Sequence, residues 1–279
     1  MEKERKIFLQ LYHDRQVADV CSCLEVIPGT YRVRDIHKMR VRVKRLKSVF
    51  SLLEYCYPGE FRAKDFYRPY KAVFKAAGKV RESQVNIGLF REYPFAGALR
   101  RSYYRHIKMK RQQWRPGLDA LIHSFDYATL EDNNRKIGQY LSAYDEAELL
   151  GLTGRFIGSE LKRINKLLKQ EDDLHSIHGF RIILKNIKPL LGLLRRRRDS
   201  SFTGEQFDSL VETEKLIGSW HDRHIFSQSL KSFFDSMEGE KEDLRDEYLA
   251  LQQALGAYEE RAIGQIYASL DHTLGLFKH

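Results

Sequence analysis

The feature that most constrains the fold of this chain is a stripe of six apolar residues that occurs twice, 141 positions apart. Within each stripe the residues recur at intervals of three or four, which is the spacing of one face of an α-helix. The first stripe comprises Ile36, Met39, Val43, Leu46, Phe50 and Leu53, and the second comprises Ile177, Phe180, Leu184, Ile187, Leu191 and Leu194. Both stripes are typical of a helix that faces the core of a bundle.

A basic motif accompanies each apolar stripe and makes the repetition more specific. Both segments read His-x-x-Arg-x-x-x-Lys-x-x-Lys, again 141 residues apart. The motif residues are His37, Arg40, Lys44 and Lys47 in the first segment and His178, Arg181, Lys185 and Lys188 in the second. A further match, at an offset of 140, relates residues 78–85 to residues 218–225. The two matches predict an internal duplication, with 1–145 as the first helical-bundle repeat and 146–279 as the second.

The rest of the chain also shows helical rather than alternating apolar spacing, and no segment reads as a β-strand. Only six prolines are present, and Pro28, Pro58 and Pro116 each adjoin a glycine, which indicates a break in the chain. Helices are predicted near 3–25, 33–56, 60–78, 83–115, 130–170, 174–197, 204–217, 222–238 and 242–274. The predicted fold class is therefore all-α, built as two similar helical bundles.

The composition excludes several classes of protein. The 279 residues are 42% hydrophobic, and no apolar run approaches the roughly 18 residues that a membrane-spanning helix needs. Residues 1–6 mix acidic and basic side chains before a short apolar stretch, unlike a secretory signal peptide. The three cysteines, Cys21, Cys23 and Cys56, have neither the number of a disulfide framework nor the spacing of a metal finger. We expect a soluble, cytoplasmic protein that does not interact with membranes.

The charge is divided unevenly along the chain. Lys and Arg number 48 against 38 Asp and Glu, which gives a formal net charge of +10. Residues 1–140 have a net charge of +14, whereas residues 141–279 have a net charge of −4. Such asymmetry indicates a polyanionic partner, for which nucleic acid, an anionic membrane surface and a phosphate polymer are the candidates.

The motif cations form a column along one helix face. Positions i, i+3, i+7 and i+10 lie on the same side of an α-helix, so each column is about 15 Å long. No acidic residue lies between Lys38 and Ser51, and like charges one turn apart cost roughly 0.2–0.5 kcal/mol per pair. Because the same closely spaced cations occur in both repeats despite this repulsion, we interpret the two columns as binding an anion between them. In this interpretation His37 and His178 face phosphate. Additional phosphate contacts are predicted for Lys71, Lys75, Arg105, Lys162 and Lys166.

These motifs resemble those of the CHAD family, whose name abbreviates conserved histidine α-helical domain. The resemblance lies in residues 35–47 and 177–188, and in the Gly-x-x-Arg-Glu and Gly-x-x-His-Asp segments that begin at Gly78 and Gly218. It implies two four-helix bundles about a pseudo-two-fold axis, which enclose a basic central channel that binds inorganic polyphosphate. The implied channel residues are His37, Arg40, Lys44, Arg45, Lys47, His178, Arg181, Lys185 and Lys188. The resemblance also implies association with polyphosphate granules and with polyphosphate-metabolising enzymes.

Two other functions stay open at this point. A nucleic-acid-binding protein shares the electrostatics, and Tyr103 and Trp114 lie among basic residues, although their spacing suits packing equally well. A metal-dependent phosphohydrolase is suggested by the adjacent His221 and Asp222, but Arg81 occupies the place of His221 in the other repeat, and metal ligands are hard to replace. We therefore expect a binding protein rather than an enzyme, with no catalytic residue, cofactor or metal.

Overall fold

The computed structural model describes residues 7–169, 173–197, 202–237 and 241–277. These residues form nine α-helices, and no strand occurs among them. The helices are α1 (Phe8–Thr30), α2 (Val33–Cys56), α3 (Ala63–Phe90), α4 (Gly97–His123), α5 (Tyr127–Ser142), α6 (Glu146–Leu167), α7 (Asp173–Leu194), α8 (Gly204–Asp235) and α9 (Lys241–Gly275). The prediction of an all-α fold is confirmed. Among the described helices, none contains an apolar stretch that could span a lipid bilayer.

The two helices that carry the basic motif agree best with their predicted ranges. α2 occupies the predicted range 33–56, and α7 begins one residue before and ends three residues before the limits of 174–197. The other predicted helices differ from the structure in their ends or in their number. α1 begins and ends later than the predicted 3–25, and α3 and α4 have other limits than the predicted 60–78 and 83–115. The predicted 130–170 is two helices, α5 and α6, whereas 204–217 and 222–238 form one helix, α8, and α9 starts and ends one residue outside 242–274. Residues 3–6, 170 and 238 of the predicted ranges lie outside the described residues.

The chain divides into two compact units, each assembled from two separate stretches. The first, the motif unit, comprises Met1–Ala77 and Leu118–Asp208, and the second, the α9 unit, comprises Gly78–Gly117 and Ser209–His279. Each unit contains helices from both halves of the sequence. The motif unit contains α2 and α7, and the α9 unit contains most of α4 together with α9. A sequence repeat is therefore not the same as a compact unit, and the division into repeats after residue 145 stays a prediction.

The core of the motif unit is built on the two apolar stripes. α2 packs against α1, α6 and α7, and α6 packs against α7. Every residue of both stripes is buried, and burying a side chain of this size stabilises by roughly 1.5–3 kcal/mol. Gly179 lets α6 approach α7 closely, because a Cβ at this position would lie 2.7 Å from Cδ1 of Leu167.

Two of the three predicted proline breaks are present. Near the end of α1, Pro28 has an extended backbone and Gly29 has a φ of 79°, which glycine adopts at little cost. Gly59, which follows Pro58 in the turn after α2, has a φ of 88° for the same reason. The third prediction is wrong, because Pro116 lies inside α4.

The α9 unit has a separate aromatic core. Phe90 of α3, Tyr103 of α4 and Phe226 of α8 are fully buried. Their ring centroids lie 5.4, 5.3 and 5.9 Å apart, at the tilted and edge-to-face angles that aromatic pairs prefer. The buried hydroxyl of Thr213 joins α8 to α9, since its Oγ1 lies 2.7 Å from Oγ of Ser269. These contacts hold the four helices of this unit together.

Candidate anion-binding site

The basic residues of α2 lie along one border of its buried stripe. Arg40 and Lys44 are half-buried, whereas His37 and Lys47 are exposed. Each motif residue follows a buried stripe residue by one position, so it is turned about 100° away from the core. A long cationic side chain at such a border packs its stem on apolar surface and keeps its charged group accessible. The structure thus places the α2 column where a ligand can reach it.

Two aromatic residues of α3 contact two cations of this column. Cζ of Arg40 lies 4.1 Å from the ring centroid of Phe74, and Nη1 of Arg40 donates a hydrogen bond to the carbonyl oxygen of Phe74. Nζ of Lys47 lies 4.6 Å from the ring centroid of Tyr67. Arg40 and Lys47 are seven residues apart on α2, and their partners on α3 are also seven residues apart, in the opposite order. The two helices therefore run antiparallel here, and the two contacts lie about two helical turns apart. Each such contact stabilises by roughly 0.5–1 kcal/mol.

The electrostatics of the column favour an incoming anion. Desolvation lowers the pKa of Lys47, although the residue is exposed overall. Burial raises the pKa of Tyr67, and the nearby guanidinium of Arg40 opposes this effect. A partly desolvated ammonium gains stability from a neighbouring negative charge, which favours its charged form. A bound phosphate group supplies such a charge.

The column of α7 has nearly the same pattern of exposure. His178 is exposed, and Arg181 and Lys185 are half-buried, like their equivalents in α2. Lys188 is half-buried where Lys47 is exposed. Because α7 packs against α2, the two columns lie on neighbouring helices of one compact unit.

Two of the additional predicted phosphate contacts are on α3. Lys71 and Lys75 are both exposed. Lys71 follows Tyr67 by four residues and precedes Phe74 by three, so it shares the α3 face that contacts Arg40 and Lys47. A contact between Lys71 and a ligand of the α2 column stays a prediction that this position allows.

The remaining predicted contacts are on other helices. Lys162 and Lys166 are exposed on α6, which packs against α7. Arg105 is exposed on α4 and belongs to the α9 unit rather than to the motif unit. The motif unit thus contains every predicted phosphate contact except Arg105.

Arg45 lies on a different side of α2 from the column. Nζ of Lys38 and Nε of Arg42 each lie 3.0 Å from the carboxylate of Asp19, so this side of α2 faces α1. Arg45 follows Arg42 by three residues and shares that side. It is half-buried, and desolvation lowers its pKa despite the nearby Tyr12. The resemblance groups Arg45 with the channel residues, whereas the structure places it beside α1.

Asp19 of α1 forms ion pairs with two cations of α2, and the sequence of α2 alone does not predict them. Burial raises the pKa of Asp19, but its ion pairs with Lys38 and Arg42 outweigh this effect and hold the pKa below its usual range. An acid from α1 therefore offsets repulsion on the α1 side of α2. The aromatic partners Tyr67 and Phe74 were missed as well, although their spacing of seven residues was visible in the sequence.

The residues of the phosphohydrolase alternative lie in the α9 unit. Nδ1 of His221 lies 3.4 Å from Oδ1 of Asp222, and Nδ1 of the nearby His224 lies 2.9 Å from Oε1 of Glu259. Protein metal sites commonly use three or four such ligands. Within the described residues, no group of three or more His, Cys, Asp or Glu side chains could hold a metal ion.

The fold and this site define a class of protein: all-helical, with two copies of one basic motif on helices that pack against each other. A family model for the CHAD domain matches residues 20–231, a range that includes both motif helices. The chain therefore belongs to the CHAD family, which is associated with polyphosphate binding. The resemblance inferred from the motifs is confirmed.

A solved structure has the same fold. The crystal structure of the CHAD domain from the plant Ricinus communis matches with a TM-score of 0.72 and 17% sequence identity. The match covers 94% of this chain and 90% of that chain. At this identity the likeness establishes the fold alone. Comparison with curated proteins gave no match.

Proposed function

We propose that the basic columns of α2 and α7 bind inorganic polyphosphate and catalyse no reaction on it. The observation that carries this proposal is the packing of α2 against α7, because it brings two copies of the same basic column into one compact unit. Membership in a family associated with polyphosphate binding supports the same choice of ligand.

The chemistry of the columns suits a flexible chain of phosphates. Arginine binds two phosphate oxygens at once, whereas lysine acts as a point charge that reorients as the ligand moves. Arg40 and Lys47 are already held against aromatic rings. Less conformational entropy is therefore lost when the ligand binds.

The same rings favour polyphosphate over nucleic acid. Proteins that bind single-stranded nucleic acid stack bases on exposed aromatic side chains. Here Phe74 and Tyr67 are half-buried, and their rings contact Arg40 and Lys47. These rings position cations, which serves a ligand that has phosphates but no bases.

A titration of the whole protein with long-chain polyphosphate at several salt concentrations tests the proposal. Lys44→Ala/Lys185→Ala removes one lysine from each column. We expect tight binding that weakens steeply with salt, because counterions are released from the polyanion. In the variant the affinity falls and depends less steeply on salt. The magnitude of the slope of log affinity against log salt concentration is expected to be smaller by about 2, or about 1 per lost phosphate contact.

The matched control is Lys136→Ala/Lys231→Ala, which removes the same charge from exposed positions outside both columns. Its affinity and salt slope are expected to stay close to those of the unmodified protein. Circular dichroism checks that each variant is folded, and duplex DNA serves as the competing ligand. Equal binding of DNA, or equal loss in the two variants, would contradict a dedicated polyphosphate site.

The proposed biological role is attachment to polyphosphate granules, close to polyphosphate-metabolising enzymes. A binding protein leaves its ligand intact. Polyphosphate recovered after prolonged incubation with the protein is therefore expected to keep its chain length on a gel. Shortening of the polymer by the purified protein would instead support a hydrolase.

A further inference from the structure

Helix α4 has a concentration of positive charge that lies outside the columns of α2 and α7. Between Gly97 and Gly117 it contains seven Lys and Arg residues and no Asp or Glu, and this whole segment belongs to the α9 unit. Arg101, Arg105 and Lys108 are exposed and follow one another at intervals of four and three residues. They therefore form a third column, the α4 column, on the outer face of the helix.

The positive charge of α4 is not neutralised by neighbouring acids. Among the described residues, none of the three cations of the α4 column forms an ion pair with a carboxylate. This differs from α2, one side of which is neutralised by an acid of α1. Burial lowers the pKa of His106, and the nearby Lys110 lowers it further; burial and Arg115 act in the same way on Arg111. A bound anion would relieve this repulsion between the cations of α4.

The N-terminus of α4 does not provide the anion site, because its amides already have a partner. The carboxylate of Glu247, from α9, accepts hydrogen bonds from the amides of Ala98 and Leu99 at 3.3 and 2.8 Å. This carboxylate also complements the positive end of the helix dipole. An anionic ligand of α4 therefore has to bind to the side chains of the outer face.

The aromatic residues of α4 indicate which kind of anion fits. Tyr103 is buried in the core, Trp114 is half-buried, and the half-buried Tyr104 donates its hydroxyl to the carbonyl oxygen of Ile87 at 3.0 Å. Because none of these three rings is exposed, the outer face of α4 offers no ring on which a nucleic-acid base could stack. A row of cations without such rings suits a ligand that has repeated phosphates but no bases.

We propose that the α4 column is a second binding surface for polyphosphate, separate from the columns of α2 and α7. The choice of ligand rests on the proposed function, whereas the position of the surface rests on the charge and exposure of α4. The two arginines can each bind two phosphate oxygens, and Lys108 adds a point charge that reorients with the ligand. Arg105, the one predicted phosphate contact outside the motif unit, is thereby assigned to this surface.

Lysine labelling of a variant that lacks two motif lysines tests the position of this surface. Lys44→Ala/Lys185→Ala is acetylated at low salt with and without long-chain polyphosphate, and each lysine is read by mass spectrometry. We expect polyphosphate to lower the modification of Lys108. Lys231, which is exposed on α8 in the same unit, is expected to react as before. Equal modification of Lys108 with and without polyphosphate would overturn the proposal, whether or not the columns of α2 and α7 bind the polymer.

Titration with long-chain polyphosphate at several salt concentrations tests the contribution of the α4 column. Arg101→Gln/Arg105→Gln is expected to lower the affinity, and the magnitude of the salt slope is expected to be smaller by about 2. The matched control is Arg91→Gln/Arg261→Gln, which removes two exposed arginines of the same unit that lie outside α4. An α4 variant that binds like this control would overturn the proposal and leave the proposed function standing. A loss in the α4 variant, with no loss in the variant of the motif lysines, would support the α4 surface and contradict the proposed function.

Duplex DNA is the competing polyanion in the same titrations. Loss of affinity for DNA in the α4 variant, with unchanged affinity for polyphosphate, would make α4 a nucleic-acid surface and overturn the proposal. Circular dichroism checks that each variant is folded, and we expect the fold to be retained because the replaced arginines are exposed.

Discussion

At the scale of single residues, Arg40 illustrates how a cation can be positioned before its ligand arrives. Its guanidinium donates to a backbone carbonyl of α3 and lies over the ring of Phe74. A lysine at this position could not make both contacts in the same way, because it lacks the planar group. The affinity of the column therefore depends on neutral residues that hold the cations, as well as on charge.

Replacing the ring beneath Arg40 separates positioning from charge. Phe74→Leu is expected to weaken polyphosphate binding about two- to fivefold, the equivalent of one lost cation–π contact. The salt slope is expected to stay unchanged, because no charge is removed. Titration at several salt concentrations measures both quantities. Phe74→Tyr keeps an aromatic ring and is the control, and a Leu variant that binds as tightly as the Tyr variant would contradict the role of the ring.

The motif residues could be predicted from the sequence because helical spacing fixes which side chains share a face. Their partners could not, because the sequence does not say which faces of different helices meet. Arg45 is the clearest example, since only the contacts of Lys38 and Arg42 with Asp19 show that its side of α2 faces α1. The contacts of Tyr67 and Phe74 with the column likewise depend on how α3 packs against α2.

At the scale of helices, strong periodicity was predicted well and helix ends were predicted poorly. α2 agrees with its predicted range because its stripe is regular and Pro58-Gly59 follows it. The division between α5 and α6 was missed, although Asp145 and Glu148 form a capping box that is readable as Asp-x-x-Glu. Pro116 was read as a break, yet helix α4 continues through it, so a single proline did not outweigh the rest of the helix.

The capping box makes a prediction about the stability of α6. Oδ1 of Asp145 accepts a hydrogen bond from the Glu148 amide at 2.8 Å, and Oε2 of Glu148 accepts one from the Asp145 amide at 2.9 Å. Asp145→Ala is expected to lower the free energy of unfolding by about 1 kcal/mol. Asp145→Asn retains a capping oxygen and is expected to lose much less. Denaturant titration measures both values, and an equal loss in the two variants would contradict the capping role.

At the scale of the whole molecule, the compact units cut across the sequence repeat. α2 and α7 belong to one unit although 141 residues separate their motifs. A sequence repeat is read from matching residues, whereas a compact unit depends on which surfaces bury each other, so the compact units could not be inferred from the repeat. The second half of the chain is acidic overall, but its basic motif, on α7, lies in the same compact unit as the basic motif of α2.

Contact of polyphosphate with both columns is tested most directly by lysine labelling of the unmodified protein. The protein is acetylated with and without long-chain polyphosphate, and the modification of each lysine is read by mass spectrometry, with orthophosphate as the control ligand. We predict that polyphosphate protects Lys44 and Lys47 on α2 together with Lys185 and Lys188 on α7, while the exposed Lys136 and Lys231 react as before. Protection confined to one column, or spread evenly over all exposed lysines, would contradict a site built from the two motif helices.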